Sequence, residues 1–141
     1  MKLIDANLLV YATTPAAPQH QRAAEWFDAE MNGGEVLALP WASLMAFLRV
    51  STDRRIWKQA LSIEAALEFV QDWIEWESTF VPEPAPNHFA LVAELLRAAP
   101  RSKLVPDAHL AALAISHGLT LCSNDVDFRL FKGLRLLNPL E

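Results

Sequence analysis

At 141 residues the chain fits one domain and can bury one good core. Its 52% apolar content excludes a disordered chain, yet no apolar run is long enough to span a membrane. A net charge of −5 speaks against non-specific nucleic-acid binding, which needs Lys and Arg, but leaves room for an acidic pocket neutralised by metal ions with basic residues at its rim. The lone Cys122 rules out an internal disulfide. No basic region followed by a long apolar stretch and a cleavage site opens the chain, so a cytoplasmic protein is expected.

Residues 2–4 are too short for a helix and too apolar for a surface tail. They read as the buried central strand of a parallel sheet, where both faces are covered and alternation is lost. Asp5 then stands where that strand ends and a helix over residues 6–12 begins. Ligands gather at that edge of open α/β sheets, although capping of the helix explains an Asp equally well. Residues 13–18 form a turn with two prolines. A helix over residues 20–31 is stopped by Asn32-Gly33-Gly34, and residues 35–39 form a short apolar strand. Pro40 opens a helix over residues 41–50 that is apolar nearly all round and hence mostly buried.

Residues 51–57 break the pattern and carry Asp53, Arg54 and Arg55. Ser62 caps a helix over residues 63–77. Its stripe of Ile63, Ala66, Leu67, Val70, Trp73 and Ile74 reads as core, with a partner's groove as the alternative. A third strand over residues 79–81 precedes an extended Pro82-Glu83-Pro84-Ala85-Pro86 linker and a helix over residues 87–98, with Phe89, Val92, Leu95 and Leu96 inward. Residues 106–117 form an apolar helix closed by Gly118. A strand over 119–122, a turn over 123–125, a short helix over 126–131 ended by Gly133 and a last strand over 134–137 complete the chain. Strands alternate with helices and no hairpin is signalled. That predicts an α/β fold of three layers, α/β/α, around a mainly parallel sheet of five strands.

Three acids fall at strand ends or helix starts. Asp107 lies in the first turn of its helix, on the face of Leu110, Ala111 and Ala114. A favourable charge–dipole interaction explains an acid in that turn, but not its sharing a face with the core. Asp125 follows its strand by three residues, at the same sheet edge as Asp5, where it also suits a helix cap. Asp127 reads as a solvated acid or a supporting group. Asp5, Asp107 and Asp125 are thus expected on one rim. Like charges so close need compensation. A hard divalent cation supplies it, and can activate water for phosphodiester cleavage.

Four stretches, LIDANLLVYA, LVPDAHLAALAISHG, LCSNDVDF and GLRLLNP, resemble in order and spacing the motifs of the PIN-domain ribonucleases, and within them the VapC-type toxins of bacterial toxin–antitoxin pairs. LPWASLMAFLRVSTDRRI and LSIEAALEFVQDWI resemble a VapC subgroup. The resemblance covers residues 1–141 nearly end to end, as a single domain. It implies the strand order 3-2-1-4-5 and an endoribonuclease holding Mg²⁺ or Mn²⁺ on Asp5, Asp107 and Asp125, with Asp127 as a further candidate ligand. Ser123 and Asn7 would orient carboxylates and waters. It also implies an RNA substrate, a homodimer and a VapB-like antitoxin that blocks the pocket; the apolar stripe over residues 63–74 makes that helix the candidate wall of the antitoxin's groove.

Arg49, Arg54, Arg55 and Lys58 are candidates for phosphate contacts at the rim, against a plain solvated face. Trp41 and Trp57 are candidates for base stacking, with core packing favoured for Trp41. The chain departs from the family pattern once. The helix after the second strand should carry a Glu; here it has no acid, and the matching position falls at or near Phe47. Water, Asp127 or Ser43 then fills the gap, or metal binding is weaker, or activity is lost. A catalytically inactive binding module is accordingly the alternative.

Other chemistries fit less well. His20, His88, His109 and His117 show no metal-ligand spacing, Cys122 reads as core, and Gly33-Gly34 is no phosphate-binding loop. A receiver domain would need paired acids after the first strand, and an aspartyl phosphatase an Asp where Asn7 stands.

Overall fold

The computed structural model describes residues 1–141. Five short strands, β1 (Lys2–Ile4), β2 (Leu37–Ala38), β3 (Thr79–Phe80), β4 (Thr120–Cys122) and β5 (Leu136–Leu137), form one sheet ordered β3-β2-β1-β4-β5. Every neighbouring pair is parallel. The connections run through helices α1 (Ala6–Thr13), α2 (His20–Asn32), α3 (Trp41–Ser51), α4 (Ile63–Glu75), α5 (His88–Ala98) and α6 (Val105–His117). The expected α/β/α architecture and strand order hold, though the strands beyond β1 are shorter than the sequence suggests.

Both faces of the central strands are buried, which is why their sequences are apolar without alternation. Leu3 of β1 pairs with Ala38 and Leu121, and all three face the layer of α5 and α6. Ile4, in register with Cys122, faces the opposite layer with Leu8, Phe27, Leu44, Phe47 and Trp73. Burial pushes the Cys122 thiol up to about 12, so it packs as an uncharged residue. Gly118 closes α6 in the left-handed conformation (φ 66°), its N–H reaching the carbonyls of Ala114 and Ile115.

The helices are less buried than their sequences suggest. Trp41 and Met45 of α3 are 50% and 49% exposed, so that helix has a solvent face and Trp41 is not a core residue. On α4 the apolar stripe is wider than the seam the neighbouring helices cover: Ala66, Val70 and Trp73 are buried, while Ile63, Leu67 and Ile74 are exposed. Phe89 is 82% exposed rather than inward. It stands about 120° around α5 from the buried Leu95.

Candidate functional site

The three acids do share one edge, the carboxyl ends of β1 and β4. The Asp5 N–H donates to the Cys122 carbonyl at 3.0 Å, which ties the end of β1 to β4. The Asp5 side chain caps α1, Oδ1 accepting from the Ala6 N–H at 2.8 Å. Its other oxygen accepts from Ser123 Oγ at 2.7 Å. The capping and functional explanations of Asp5 therefore describe one residue, with the two oxygens held by different elements.

Ser123 is the hub of this edge and is 1% exposed. Its hydroxyl donates to Asp5 and accepts from Asn7 Nδ2 (3.3 Å) and the Asp125 N–H (2.9 Å). One donor and two acceptor sites are then all used. Asn7 Oδ1 accepts from the Asn124 N–H at 3.4 Å, so Asn7 bridges α1 to the turn after β4. We expect Ser123→Ala to destabilise the fold by about 1–3 kcal/mol, since it strands buried polar partners. It should also weaken metal binding or turnover about 10- to 100-fold, as loss of an orienting partner does. Thermal melting with metal titration checks both.

Asp125 caps the 3₁₀ turn Val126–Leu130, its Oδ1 accepting from the Asp127 N–H at 2.9 Å. That tight turn swings Asp127 back toward α6. Carboxylate oxygens of Asp107, Asp125 and Asp127 lie within 4.8 Å of one another. Asp127, read as a solvated or supporting acid and as a further candidate ligand, lies in the cluster, while Asp5 stands just beside it. Asp127 also pairs with Lys103 at 3.4 Å, in the 3₁₀ turn before α6. The alternation of acids in Asp125-Val126-Asp127 signals the first contact; nothing in the sequence signals Lys103.

Crowded negative charge has its usual consequence. Burial first, then the charges of Asp125, Asp5 and Asp127, push Asp107 up to about 6, against the pull of Lys103. Burial also raises Asp5 above the ordinary carboxylate range, with Asp125 adding to it and the Ser123 and Ala6 hydrogen bonds opposing it.

A cleft of about 560 Å³ opens from Asp5, Asp107 and Asp125 toward Arg49, Tyr11 and Trp57. A second, of about 410 Å³, shares Asp5, Ala46 and Asp107 with it and adds Ser43 and His109. Ala46 is thus the α3 residue that lines both clefts together with Asp5 and Asp107. Phe47 is fully buried, 4.8 Å from the Trp73 ring, and cannot be the place of a missing acid. Ser43 Oγ is buried beside the acids without a hydrogen-bond partner.

Of the four basic candidates, only Arg49 lines the cleft. Arg55 is spent on Asp53, 3.1 Å away, and Arg54 and Lys58 project from the exposed loop that follows α3. The histidines all have protein partners: His20 meets the Tyr11 carbonyl, His117 that of Glu83, and His88 and His109 each other at 2.9 Å.

Comparison with known proteins agrees with this geometry. Residues 2–134 match the PIN domain family. Ribonuclease VapC37 of Mycobacterium tuberculosis H37Rv is 35% identical over 140 residues, 99% of this chain and 97% of the relative. Ribonuclease VapC33 of Mycobacterium tuberculosis CDC 1551 is 32% identical over 142 residues, 100% of this chain and 99% of the relative. Among solved structures, Mycobacterium tuberculosis VapC20, a Sarcin-Ricin loop cleaving toxin, superposes with a TM-score of 0.69 at 16% identity, covering 96% of this chain and 99% of that one. VapBC-1 of nontypeable Haemophilus influenzae superposes with a TM-score of 0.70 at 13% identity, covering 99% and 98%.

Proposed function

The chain belongs to the PIN-domain family, and from that premise we propose that it is a VapC-type endoribonuclease, the toxin of a toxin–antitoxin pair, which hydrolyses RNA with a divalent metal ion. The observation that carries the metal dependence is the cluster of Asp107, Asp125 and Asp127 within 4.8 Å, with Asp5 beside it. The donor set fits a hard cation: all carboxylate oxygens, mutually repelling, with the unpartnered Ser43 hydroxyl nearby. Asp107, Asp125 and Asp127 would hold Mg²⁺ or Mn²⁺ with Asp5 as the adjoining ligand, and the ion would supply charge compensation and a more acidic bound water.

The chain's own residues do the rest. Ser123 and the Ala6 N–H fix the Asp5 carboxylate so that it cannot turn away from the cleft. The crowding that lifts Asp107 to about 6 without an ion would be relieved by a cation held there, so Asp107 would serve as an ionised ligand. Water adds to phosphorus and the P–O3′ bond breaks; the attacking water gives up a proton to solvent and the leaving 3′-oxygen takes one from it, which leaves a 3′-hydroxyl and a 5′-phosphate. Arg49 meets a phosphate at the mouth of the cleft. The partners in this reading are RNA, a second copy of the chain and a VapB-like antitoxin. The exposed Ile63, Leu67 and Ile74 face of α4 is offered as a wall for the antitoxin. No helix is long and apolar enough to cross a membrane.

Ala46, standing where an acid from α3 would face the cluster, favours one second reading: an inactive module that only binds its partners. Purified protein incubated with total cellular RNA separates the two. Discrete cuts in Mg²⁺ or Mn²⁺ that vanish with EDTA, and with Asp5→Asn, are expected. Intact RNA with folded, metal-bound protein selects the inactive module.

A further inference from the structure

The acidic cluster occupies one end of the 560 Å³ cleft, and the other end has a different chemistry. A hydrated ion and one phosphate do not need the whole of that volume, which is in the range that small-molecule sites use. Away from the acids the cleft is lined by Val10 and Tyr11 of α1 and by Ile56 and Trp57 of the loop after α3. Gln19 and Arg49 are the polar groups on this part of the wall.

The Trp57 wall is held firmly. The Asp53 carbonyl accepts from the N–H groups of both Ile56 and Trp57 at 3.0 Å, and the Asp53 carboxylate caps the turn through the Arg55 N–H at 2.8 Å. The Arg55 guanidinium adds a side-chain pair and holds Asp53 below the usual carboxylate range. The α1 part of the wall is fixed in turn, because His20 Nδ1 lies 2.9 Å from the Tyr11 carbonyl. Two aromatic side chains therefore stand on anchored backbone, next to a cluster that handles phosphodiesters.

Trp57 is half-buried: it packs against the core, where its Nε1 is enclosed without a hydrogen-bond partner, and it also lines the cleft. Arg49 is exposed and lines the cleft, and its charge also reaches the Asp53 carboxylate, which is already paired to Arg55. An aromatic platform and an exposed cation, continuous with the acids, suit a planar heterocycle attached to a phosphate.

Resting on the ribonuclease reading, we infer that the Tyr11–Trp57 end of this cleft is a pocket for one unstacked nucleobase of the RNA, next to the phosphate presented to the acids. Trp57 is then a specificity-determining residue. The base stacks on the aromatic wall and Arg49 neutralises the flanking phosphate. A base held within a duplex cannot enter, so the enzyme selects unpaired nucleotides.

The test uses the full chain with Asp5→Asn, so that RNA is bound and not consumed, in Mg²⁺. The probes are fluorescently labelled single-stranded RNA heptamers of U, C, A or G, and one RNA duplex. Trp57→Ala should weaken the preferred heptamer about 10- to 100-fold and flatten the ranking of the four bases, while leaving the weaker duplex binding unchanged. Trp57→Phe should restore most of the affinity and the ranking. Tyr11→Ala probes the α1 part of the wall without disturbing the loop after α3, and should also flatten the ranking if Trp57→Ala melts early. Unchanged affinity and ranking in Trp57→Ala and Tyr11→Ala would overturn the pocket alone, with cleavage by the parent chain intact. Failure to bind or cut any RNA would overturn the ribonuclease reading together with the pocket.

Discussion

Asp107→Asn is expected to abolish RNA cleavage, by at least about 10³-fold or ~4 kcal/mol of barrier, and yet to make the metal-free protein more stable. Both effects come from the same crowding. Asp107 stands among Asp125, Asp5 and Asp127, and its carboxyl rises to about 6. The gap from an ordinary carboxylate would correspond to ~3 kcal/mol in a dry site. Asp107 is only half-buried, so water screens it and about 1 kcal/mol is expected, or a few degrees in Tm. The pH dependence has a definite sign. Because the folded value lies above the unfolded one, this contribution to stability is complete below about pH 4 and is lost as pH rises through 6. The Asn variant lacks that slope. Added Mg²⁺ reverses it in the parent chain, since the ion needs ionised carboxylates and stabilises only the folded state. Metal-induced stabilisation therefore grows as pH rises through 6. Melting curves from pH 4 to 8, with Mg²⁺ and with EDTA, check both signs. A metal-free Asn variant that melts below the parent at pH 7 would contradict the crowding of these charges.

Two neighbouring substitutions on α3 should have opposite fates. Phe47→Glu places a carboxylate in the fully buried contact with Trp73 and Phe69, and removes an aromatic side chain worth about 3–5 kcal/mol. With an unpaired buried charge added, unfolding at ambient temperature is expected. Ala46→Glu, one residue earlier, points into the cleft between Asp5 and Asp107. It should fold, lower metal-free stability slightly by like-charge repulsion, and tighten Mg²⁺ or Mn²⁺ binding about tenfold by adding a ligand. Circular dichroism and isothermal titration with each metal ion distinguish the two. A folded Phe47→Glu protein with tightened metal binding would move the missing acid back to Phe47.

That contrast marks where sequence reasoning reaches its limit. The apolar run before Asp5, the strand–helix alternation and the acids at Asp5, Asp107 and Asp125 are legible, because burial on both faces of a parallel sheet and the start of a helix leave strong local signals. Which residue of α3 faces the acids is not. One residue turns a helix by about 100°, and an all-apolar helix carries no mark of its phase. The same lack of phase hides the solvent faces of Trp41 and Phe89. The place of Asp127 in the cluster is hidden too, because its approach to Asp107 depends on a 3₁₀ turn closed by Asp125 and joins residues far apart in the chain. Proximity in sequence groups the basic candidates together, but Arg55 turns to Asp53 and only Arg49 reaches the cleft.

The chemistry of the new RNA ends decides whether the acids, with a divalent ion, drive water onto a phosphodiester. RNA cut by the purified chain in Mg²⁺ or Mn²⁺ should carry 5′-phosphate and 3′-hydroxyl ends, and EDTA should stop the reaction. Cuts that persist in EDTA and leave 2′,3′-cyclic phosphates would show that the RNA's own 2′-hydroxyl attacks, and would contradict a metal-holding role for Asp5, Asp107, Asp125 and Asp127.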